Sequence, residues 1–433
     1  MSTDVVAAIG FVSLFVLMIL RVPVGIAMGL VGVVGFGYLN DDMGPALKIL
    51  AQSPIRTATD AEFAVIPLFL LMGAFASSSG MSRELFRASN TFLGHLRGGL
   101  GIATIAACGG FAAICGSSVA TAATFSKVAY PEMRQHGYPQ SFATGVIAAG
   151  GSLGIMIPPS TVFAVYGLIT EQDIGKLFIA GVVPGILAVC MYIVTINIIA
   201  FLRPGYLPKT PRHSWNERLA ALRDVWAVML LFLFIIGGLY AGMFTATEAA
   251  GMGAAGAFII AIARRKLSRA DFWRSLIESL RTTASVFTIL IGALIFGYFL
   301  TITQTPQKVT TFLTGLGLGS YGVLVLIMLM YLVLGCIMDA MAMIILTIPI
   351  VFPVIKALGF DPIWFGVIIV MTVELGLIHP PVGMNVFVIK SVIKDVKLST
   401  VFYGVMPFVL TDILRLAILI AFPILATWLP SHM

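Results

Sequence analysis

Residues 150–160 read GGSLGIMIPPS and lie inside an uncharged run that extends from Gly137 to Thr170. This run is longer than the ~20 apolar residues that a helix needs to cross a bilayer. Proline removes a backbone donor and clashes with the preceding turn, so the pair Pro158-Pro159 predicts that a helix ends or unwinds there. Unwound backbone at membrane depth is tolerated only where protein buries it or a watery cavity faces it. The stretch therefore indicates a broken helix, which forms either an ion or substrate site or a kink without a ligand.

The composition places the chain in a lipid bilayer. Of its 433 residues, 59% are hydrophobic and only 10% are charged, and the mean hydropathy is +1.04. These values exclude a soluble domain and predict an all-α polytopic integral membrane protein. The net charge of +7 does not indicate a nucleic-acid partner, because the basic residues lie in short loops between apolar runs. The four cysteines match no metal-binding spacing, so we expect them to be small buried residues.

The N-terminal part, residues 1–62, is predicted to supply scaffold helices. Val5–Leu20 and Val24–Leu39 are apolar runs that form either two short spans or one long bent span. Gly25 and Gly29 lie four residues apart, and this small-xxx-small spacing favours close packing against another helix.

A second uncharged run covers residues 98–126 and carries Gly116-Ser117-Ser118 near its middle. Small polar residues at the centre of an apolar run indicate a re-entrant hairpin with an exposed tip. The alternative is one continuous helix whose hydroxyl groups bond to its own carbonyls. The next stretch, Lys127–Pro139, is predicted to be a polar turn.

Two basic stretches set the expected topology. Arg203–Arg223 and Arg264–Arg281 are predicted loops, and the apolar runs Val225–Tyr240 and Ala249–Ala263 lie between them. Two spans return the chain to the side that it left, so both loops lie on one side of the membrane. The positive-inside rule assigns that side to the cytoplasm.

The two halves of the chain align without gaps at an offset of 222 residues, the distance from Pro158 to Pro380. The aligned pairs include Pro131 with Pro353, Gly137 with Gly359, Leu153 with Leu375, Gly154 with Gly376, Pro159 with Pro381 and Asp173 with Asp395, and the same offset places Ser117 opposite Asp339 and Ser152 opposite Glu374. This pattern predicts two structural repeats whose broken helices meet at the midplane of a transporter, with the orientation of the repeats left open. The predicted divisions are residues 63–202 for the first repeat, 203–281 for basic linkers and further scaffold helices, and 282–433 for the second repeat.

A helix that is interrupted in the membrane leaves free carbonyl groups on its first half and free N–H groups on its second. Carbonyl oxygens suit a hard cation, whereas N–H groups at the positive end of a helix suit a carboxylate. The tip at residues 116–118 and the break at residues 154–160 can close around one cation. The tip at Asp339 and the break at residues 376–385 can close around a second.

Three charged or titratable residues near the second break carry alternatives. Asp339 is either a coupling-ion or gating group or a residue at a solvated hairpin tip. Glu374 either acts in the site or pairs with a basic residue of another helix. His379 is either a substrate donor or proton-linked group, or a packing residue. No buried Arg is expected in the uncharged runs, so N–H and hydroxyl groups, and the amide of Asn385, are predicted to meet the substrate.

At these residues the chain resembles the large membrane subunit of tripartite ATP-independent periplasmic (TRAP) transporters, of the DctM or SiaM type. The resemblance covers nearly the whole chain, and the two Pro-Pro breaks with their flanks are its most specific part. It implies inverted repeats, and an elevator mechanism in which two hairpins and two broken helices slide against a scaffold. It also implies sodium (Na+) coupling. The implied sodium-site residues are Gly116, Ser117, Ser118, Gly154, Pro158, Asp339, Gly376 and Pro380, and the substrate-site residues are Pro159, Ser160, His379, Gly383 and Asn385.

The resemblance also implies partners and a location. A small four-helix membrane subunit is expected as a separate chain, and a periplasmic substrate-binding protein is expected to deliver an organic acid such as a C4-dicarboxylate or sialic acid. The location is the bacterial inner membrane. The alternative within transport is a stand-alone sodium–carboxylate transporter or ion exchanger of the same architecture. A channel would conduct ions without substrate, and no motif indicates an enzyme.

Overall fold

A computed structural model describes all residues from Met1 to Met433, and every regular element in it is helical. Twenty α-helices are joined by short connections, and two 3-10 helices cover Ala61–Ala64 and Pro430–His432. The α-helices are, in chain order, α1 Thr3–Ile19, α2 Val24–Leu39, α3 Met43–Thr59, α4 Val65–Ser78, α5 Met81–Leu93, α6 Gly99–Cys115, α7 Ser118–Gln135, α8 Gln140–Met156, α9 Thr161–Thr170, α10 Ile174–Leu202, α11 Trp215–Tyr240, α12 Ala246–Ala263, α13 Arg269–Ile302, α14 Thr305–Gly315, α15 Gly319–Gly335, α16 Ala340–Ala357, α17 Pro362–Ile378, α18 Met384–Val392, α19 Leu398–Ala421 and α20 Ile424–Thr427.

Eight helical segments are long and apolar enough to cross a membrane, and α8 and α9 together form one of them. Five shorter apolar helices, α1, α2, α6, α15 and α17, lie among them. This architecture confirms the predicted all-α polytopic membrane protein.

The N-terminal helices pack closely on α13, the longest helix. Arg21 adopts a positive φ of 66° between α1 and α2, so the first two apolar runs form two helices and not one bent span. The contact between α2 and α13 is a backbone contact. A Cβ on Gly25 would overlap the carbonyl oxygen of Thr288, and one on Gly32 would lie 2.8 Å from the backbone nitrogen of Phe296. Close packing at Gly25 is therefore confirmed.

Helix bounds recur along the chain at the same distance as the proline pairs. The bounds of α8 and α17 differ by 222 residues at both ends, and so do those of α7 and α16. The short helix that follows each break packs on the other half of the chain, because α9 contacts α16 and α18 contacts α7. The two halves are therefore interlocked through their breaks.

Several predicted loops are shorter than expected. Residues 127–135 belong to α7, so the predicted turn Lys127–Pro139 is wrong for most of its length. The basic stretches also become helical early, since α11 begins after its cap Ser214 and α13 begins after its cap Ser268. The physical reason is that polar residues mark where a segment leaves the apolar layer, whereas a helix begins and ends where capping groups satisfy its backbone.

Burial of the cysteines follows the packing of their helices. Cys108, Cys115 and Cys336 are buried as predicted, but Cys190 on α10 is exposed. The prediction is wrong for Cys190 because an apolar helix at the edge of a membrane protein turns one face to lipid, and hydropathy does not distinguish that face from the core.

Candidate functional site

The first hairpin reverses between α6 and α7, at Gly116 and Ser117. Gly116 has a φ of 62°, in the left-handed region that a residue with a Cβ occupies only at a cost. Ser117 is extended, and its hydroxyl oxygen accepts a hydrogen bond from the backbone nitrogen of Ala120 at 3.3 Å, which caps α7. The predicted hairpin is confirmed, and the alternative of one continuous helix is wrong.

The first broken helix closes directly onto this tip. The Thr161 hydroxyl donates a hydrogen bond to the Gly116 carbonyl oxygen at 3.0 Å. A Cβ on Gly116 would lie 2.8 Å from the carbonyl oxygen of Pro159, and one on Gly154 would lie 2.5 Å from that of Ser117. Backbone carbonyl groups of the tip and of the break therefore lie side by side, as the cation-site prediction requires.

The residues between α8 and α9 are enclosed by the fold. Pro158, Pro159 and Ser160 are all buried. The Ser160 hydroxyl oxygen accepts a hydrogen bond from the backbone nitrogen of Phe163 at 3.4 Å and so caps α9. The predicted substrate residues of the first break thus lie on its sealed side, with Ser160 engaged as a helix cap.

The second hairpin and the second broken helix also meet, but through other groups. A Cβ on Gly376 would lie 2.9 Å from the Cα of Gly335, so α17 crosses the end of α15 at a pair of glycines. The Cys336 thiol donates to the carbonyl oxygen of Pro380 at 3.7 Å. Asp339 is exposed at the tip, and its carboxylate caps α16 by accepting from the backbone nitrogen of Met341 at 3.1 Å. Cys336, rather than Asp339, joins this tip to its break.

The second break is more open than the first. Pro381 and Val382 are exposed, and His379 and Pro380 are half-buried. The Nδ1 atom of His379 has no hydrogen-bond partner. Gly383 precedes α18 with a φ of 56°. The predicted substrate residues of the second half therefore line an accessible segment next to the first turn of α18.

One hydrogen bond joins the two halves at the candidate site. The Ser118 hydroxyl donates to Oδ1 of Asn385 at 3.1 Å, and both residues are buried. The Nδ2 group of Asn385 has no partner, so a buried pair of donor hydrogens remains free. Sequence reasoning assigned Ser118 to the first site and Asn385 to the second, and no signal in either stretch indicates that they touch.

A group of charges, hereafter the buried ion cluster, comprises Glu374, Asp412 and Arg415. All three residues are 0% exposed. Nη2 of Arg415 lies 3.0 Å from Oε2 of Glu374 and 2.9 Å from Oδ1 of Asp412. The alternative that Glu374 pairs with a basic residue of another helix is confirmed. The expectation of no buried Arg is wrong, and the signal for it was the i,i+3 pair of charges within the otherwise apolar C-terminal run.

Comparison with known families identifies this assembly of two hairpins and two broken helices. Residues 11–425 match the family described as "Tripartite ATP-independent periplasmic transporter, DctM component". The chain belongs to this family. The match spans both hairpins, both breaks and the buried ion cluster, so the resemblance drawn from the Pro-Pro breaks is confirmed.

Relatives of this DctM-family chain share most of its length. It is 39% identical to the C4-dicarboxylate TRAP transporter large permease protein DctM of Pseudomonas aeruginosa, over 94% of this chain and 92% of the other. It is 30% identical to the sialic acid TRAP transporter large permease protein SiaM of Vibrio cholerae, over 94% and 95%. These relatives are permeases, so the DctM-family chain is a transporter subunit and not an enzyme.

A solved structure shares the fold at low sequence identity. The Alcanivorax borkumensis YdaH transporter superposes with a TM-score of 0.60 and 16% identity, over 89% of each chain. The helical architecture of the DctM-family chain is therefore one that another membrane transporter also adopts.

Proposed function

We propose that this large permease carries out sodium-coupled uptake of an organic acid across the bacterial inner membrane. The observation that carries the proposal is the closure of each broken helix on a hairpin tip. Unwound carbonyl groups and free helix N-termini then lie within one interlocked region. Transporters use such discontinuous helices to hold coupling ions with carbonyl oxygens and substrate carboxylates with N–H groups.

The first proposed sodium site lies where the tip of the first hairpin meets the first break. Its residues are Gly116, Ser117, Ser118, Gly154 and Pro158. The carbonyl groups of Gly116 and Ser117 support this assignment, because they are packed against the break without a charged side chain nearby. Carbonyl oxygens in a pocket of this kind replace the hydration shell of a hard monovalent cation.

The second proposed sodium site lies at Asp339, Gly376 and Pro380. Asp339 is the negatively charged residue at this tip, and it is exposed, so an ion can reach its carboxylate without first desolvating it. An ion bound there would screen this charge when the site enters the membrane interior, where a lone carboxylate is costly.

The substrate is proposed to bind beside the open second break. The first turn of α18 presents unpaired N–H groups with a positive dipole, next to His379, Gly383 and the free Nδ2 group of Asn385. Pro159 and Ser160 are proposed to complete the site from the first half. A C4-dicarboxylate is the first candidate, because the relative with 39% identity is named for that substrate, and sialic acid is the second.

The proposed assembly contains a small four-helix membrane subunit, as a separate chain, and a periplasmic substrate-binding protein. The mechanism is proposed to be an elevator. The hairpins and broken helices would move as a transport domain of two inverted repeats against α1–α5 and α11–α13. The glycine contact between α2 and α13 supports a rigid scaffold.

Uptake in proteoliposomes tests this proposal. The permease and its small subunit are reconstituted, and labelled C4-dicarboxylate uptake is measured with and without the binding protein and an inward sodium gradient. We expect uptake only when both are present. Uptake by the permease alone would instead establish the stand-alone carboxylate transporter, and currents without substrate would establish a channel.

A further inference from the structure

The buried ion cluster joins four helices through side chains that the transport proposal does not use. Beyond the contacts of Arg415, the hydroxyl of Tyr192 on α10 lies 2.8 Å from Oδ1 and 2.7 Å from Oδ2 of Asp412. It also lies 3.4 Å from the hydroxyl of Ser152 on α8. Ser152 and Glu374 each lie two residues before the aligned glycine of a break. The cluster therefore ties both broken helices to α10 and α19.

The charges in the cluster do not balance if both acids are ionised. Glu374 and Asp412 would contribute two negative charges, and Arg415 contributes one positive charge. No other charged or titratable group faces Asp412 except Tyr192. Lys176 on α10 is exposed, and Lys390 on α18 donates to the carbonyl oxygen of Lys394 at 2.6 Å. A net negative charge with no exposure to solvent is strongly unfavourable, so one further positive charge must be present.

The hydrogen-bond geometry shows where a proton would be placed. Oε1 of Glu374 has no hydrogen-bond partner, so a proton on that atom would be an unsatisfied donor. Oδ2 of Asp412 faces the hydroxyl oxygen of Tyr192, which can accept from it. Tyr192 can then donate to the hydroxyl oxygen of Ser152, whose own hydrogen points to the carbonyl oxygen of Ala149 at 2.7 Å. Every donor along this chain is satisfied.

We propose that the buried ion cluster is a proton-binding site, with the proton on Oδ2 of Asp412. The proton comes from solvent, and its binding makes the cluster neutral. Glu374 then remains the counter-charge of Arg415, while the neutral acid accepts from Arg415 at Oδ1 and donates to Tyr192. This inference concerns the charge state of the folded chain and does not depend on which acid the permease carries.

Infrared spectroscopy of the complete permease, purified in detergent at neutral pH, tests the proposal directly. A protonated carboxyl group has a carbonyl stretch that is separate from the bands of carboxylates and shifts in deuterated water. We expect this band in the wild-type spectrum and its loss in Asp412→Asn. Absence of the band from the wild type, or its persistence in Asp412→Asn, would overturn the proposal.

A second set of variants tests neutrality without spectroscopy. Asp412→Asn and Glu374→Gln each leave one carboxylate opposite Arg415, so both should fold, and Glu374→Gln should release the proton from Asp412. The double variant leaves Arg415 unpaired and should lose folded protein far beyond the sum of the two single effects.

The pH dependence of unfolding gives the matching thermodynamic result. Because the folded state retains a proton that the unfolded chain releases at neutral pH, stability should fall as pH rises, by up to tenfold in the unfolding equilibrium per pH unit. Asp412→Asn should lack this component, and Thr372→Val, a neighbouring buried change on α17, should retain it. Equal pH dependence of the wild type and Asp412→Asn would contradict the proposal.

Discussion

Replacing Thr161 with Val removes the one hydroxyl that joins the first break to the first hairpin tip. Val has nearly the same shape, so packing is retained while the hydrogen bond of 3.0 Å to the Gly116 carbonyl oxygen is lost. Both residues are buried, so the carbonyl group is left without this donor. Such an orphaned group costs about 1–3 kcal/mol, because water cannot replace the lost partner. The unfolding equilibrium should therefore shift by roughly five- to a hundredfold.

Equilibrium unfolding of the detergent-solubilised permease, followed by tryptophan fluorescence, measures this loss. The matched control is Thr104→Val on α6. Thr104 is equally buried, but its hydroxyl donates to the carbonyl oxygen of Leu100 within its own helix, which keeps its backbone hydrogen bond. The control should lose much less stability than Thr161→Val. Equal losses in the two variants would refute the argument that this bond closes the break.

Sodium extends the same experiment to the proposed first ion site. A ligand that binds only the folded state raises its stability, and the gain grows with ligand concentration above the Kd. We expect sodium to stabilise the wild type more than Thr161→Val, because the variant no longer holds the Gly116 carbonyl in position. The same sodium response in both proteins would remove this carbonyl from the ion site.

Three further changes test other parts of the structure. Gly25→Ala should destabilise the fold by about 1–3 kcal/mol through overpacking, whereas Gly237→Ala, in open space on α11, should be neutral or gain up to about 1 kcal/mol, as thermal unfolding can measure. Asp339→Asn should raise the sodium concentration needed for half-maximal uptake, and an unchanged sodium response would exclude Asp339 from coupling. Ser118→Ala and Asn385→Ala should show a coupling of about 0.5–1.5 kcal/mol in a double-mutant cycle, and strict additivity would mean that their hydrogen bond does not form.

The broken helices and hairpin tips were predictable because consecutive residues encode them. A proline pair ends a helix wherever it occurs, and Gly116 followed by Ser117 supplies a left-handed residue and a helix cap in two positions. Hydropathy was less informative about helix ends, as the helical residues 127–135 show. A helix continues into water as long as its backbone bonds are satisfied, so loss of apolar character marks a membrane boundary and not a turn.

By itself, the sequence determined the membrane class, the paired interruptions and their spacing of 222 residues, because composition and local backbone chemistry act over short stretches. Only the tertiary structure decided which of these interruptions meet. Ser118 and Asn385 lie 267 residues apart in the chain, and Arg415 meets Glu374 across 41 residues. Such contacts depend on how helices cross after folding. A polar group buried by that crossing must find whichever partner the packing presents, and local sequence does not specify that partner.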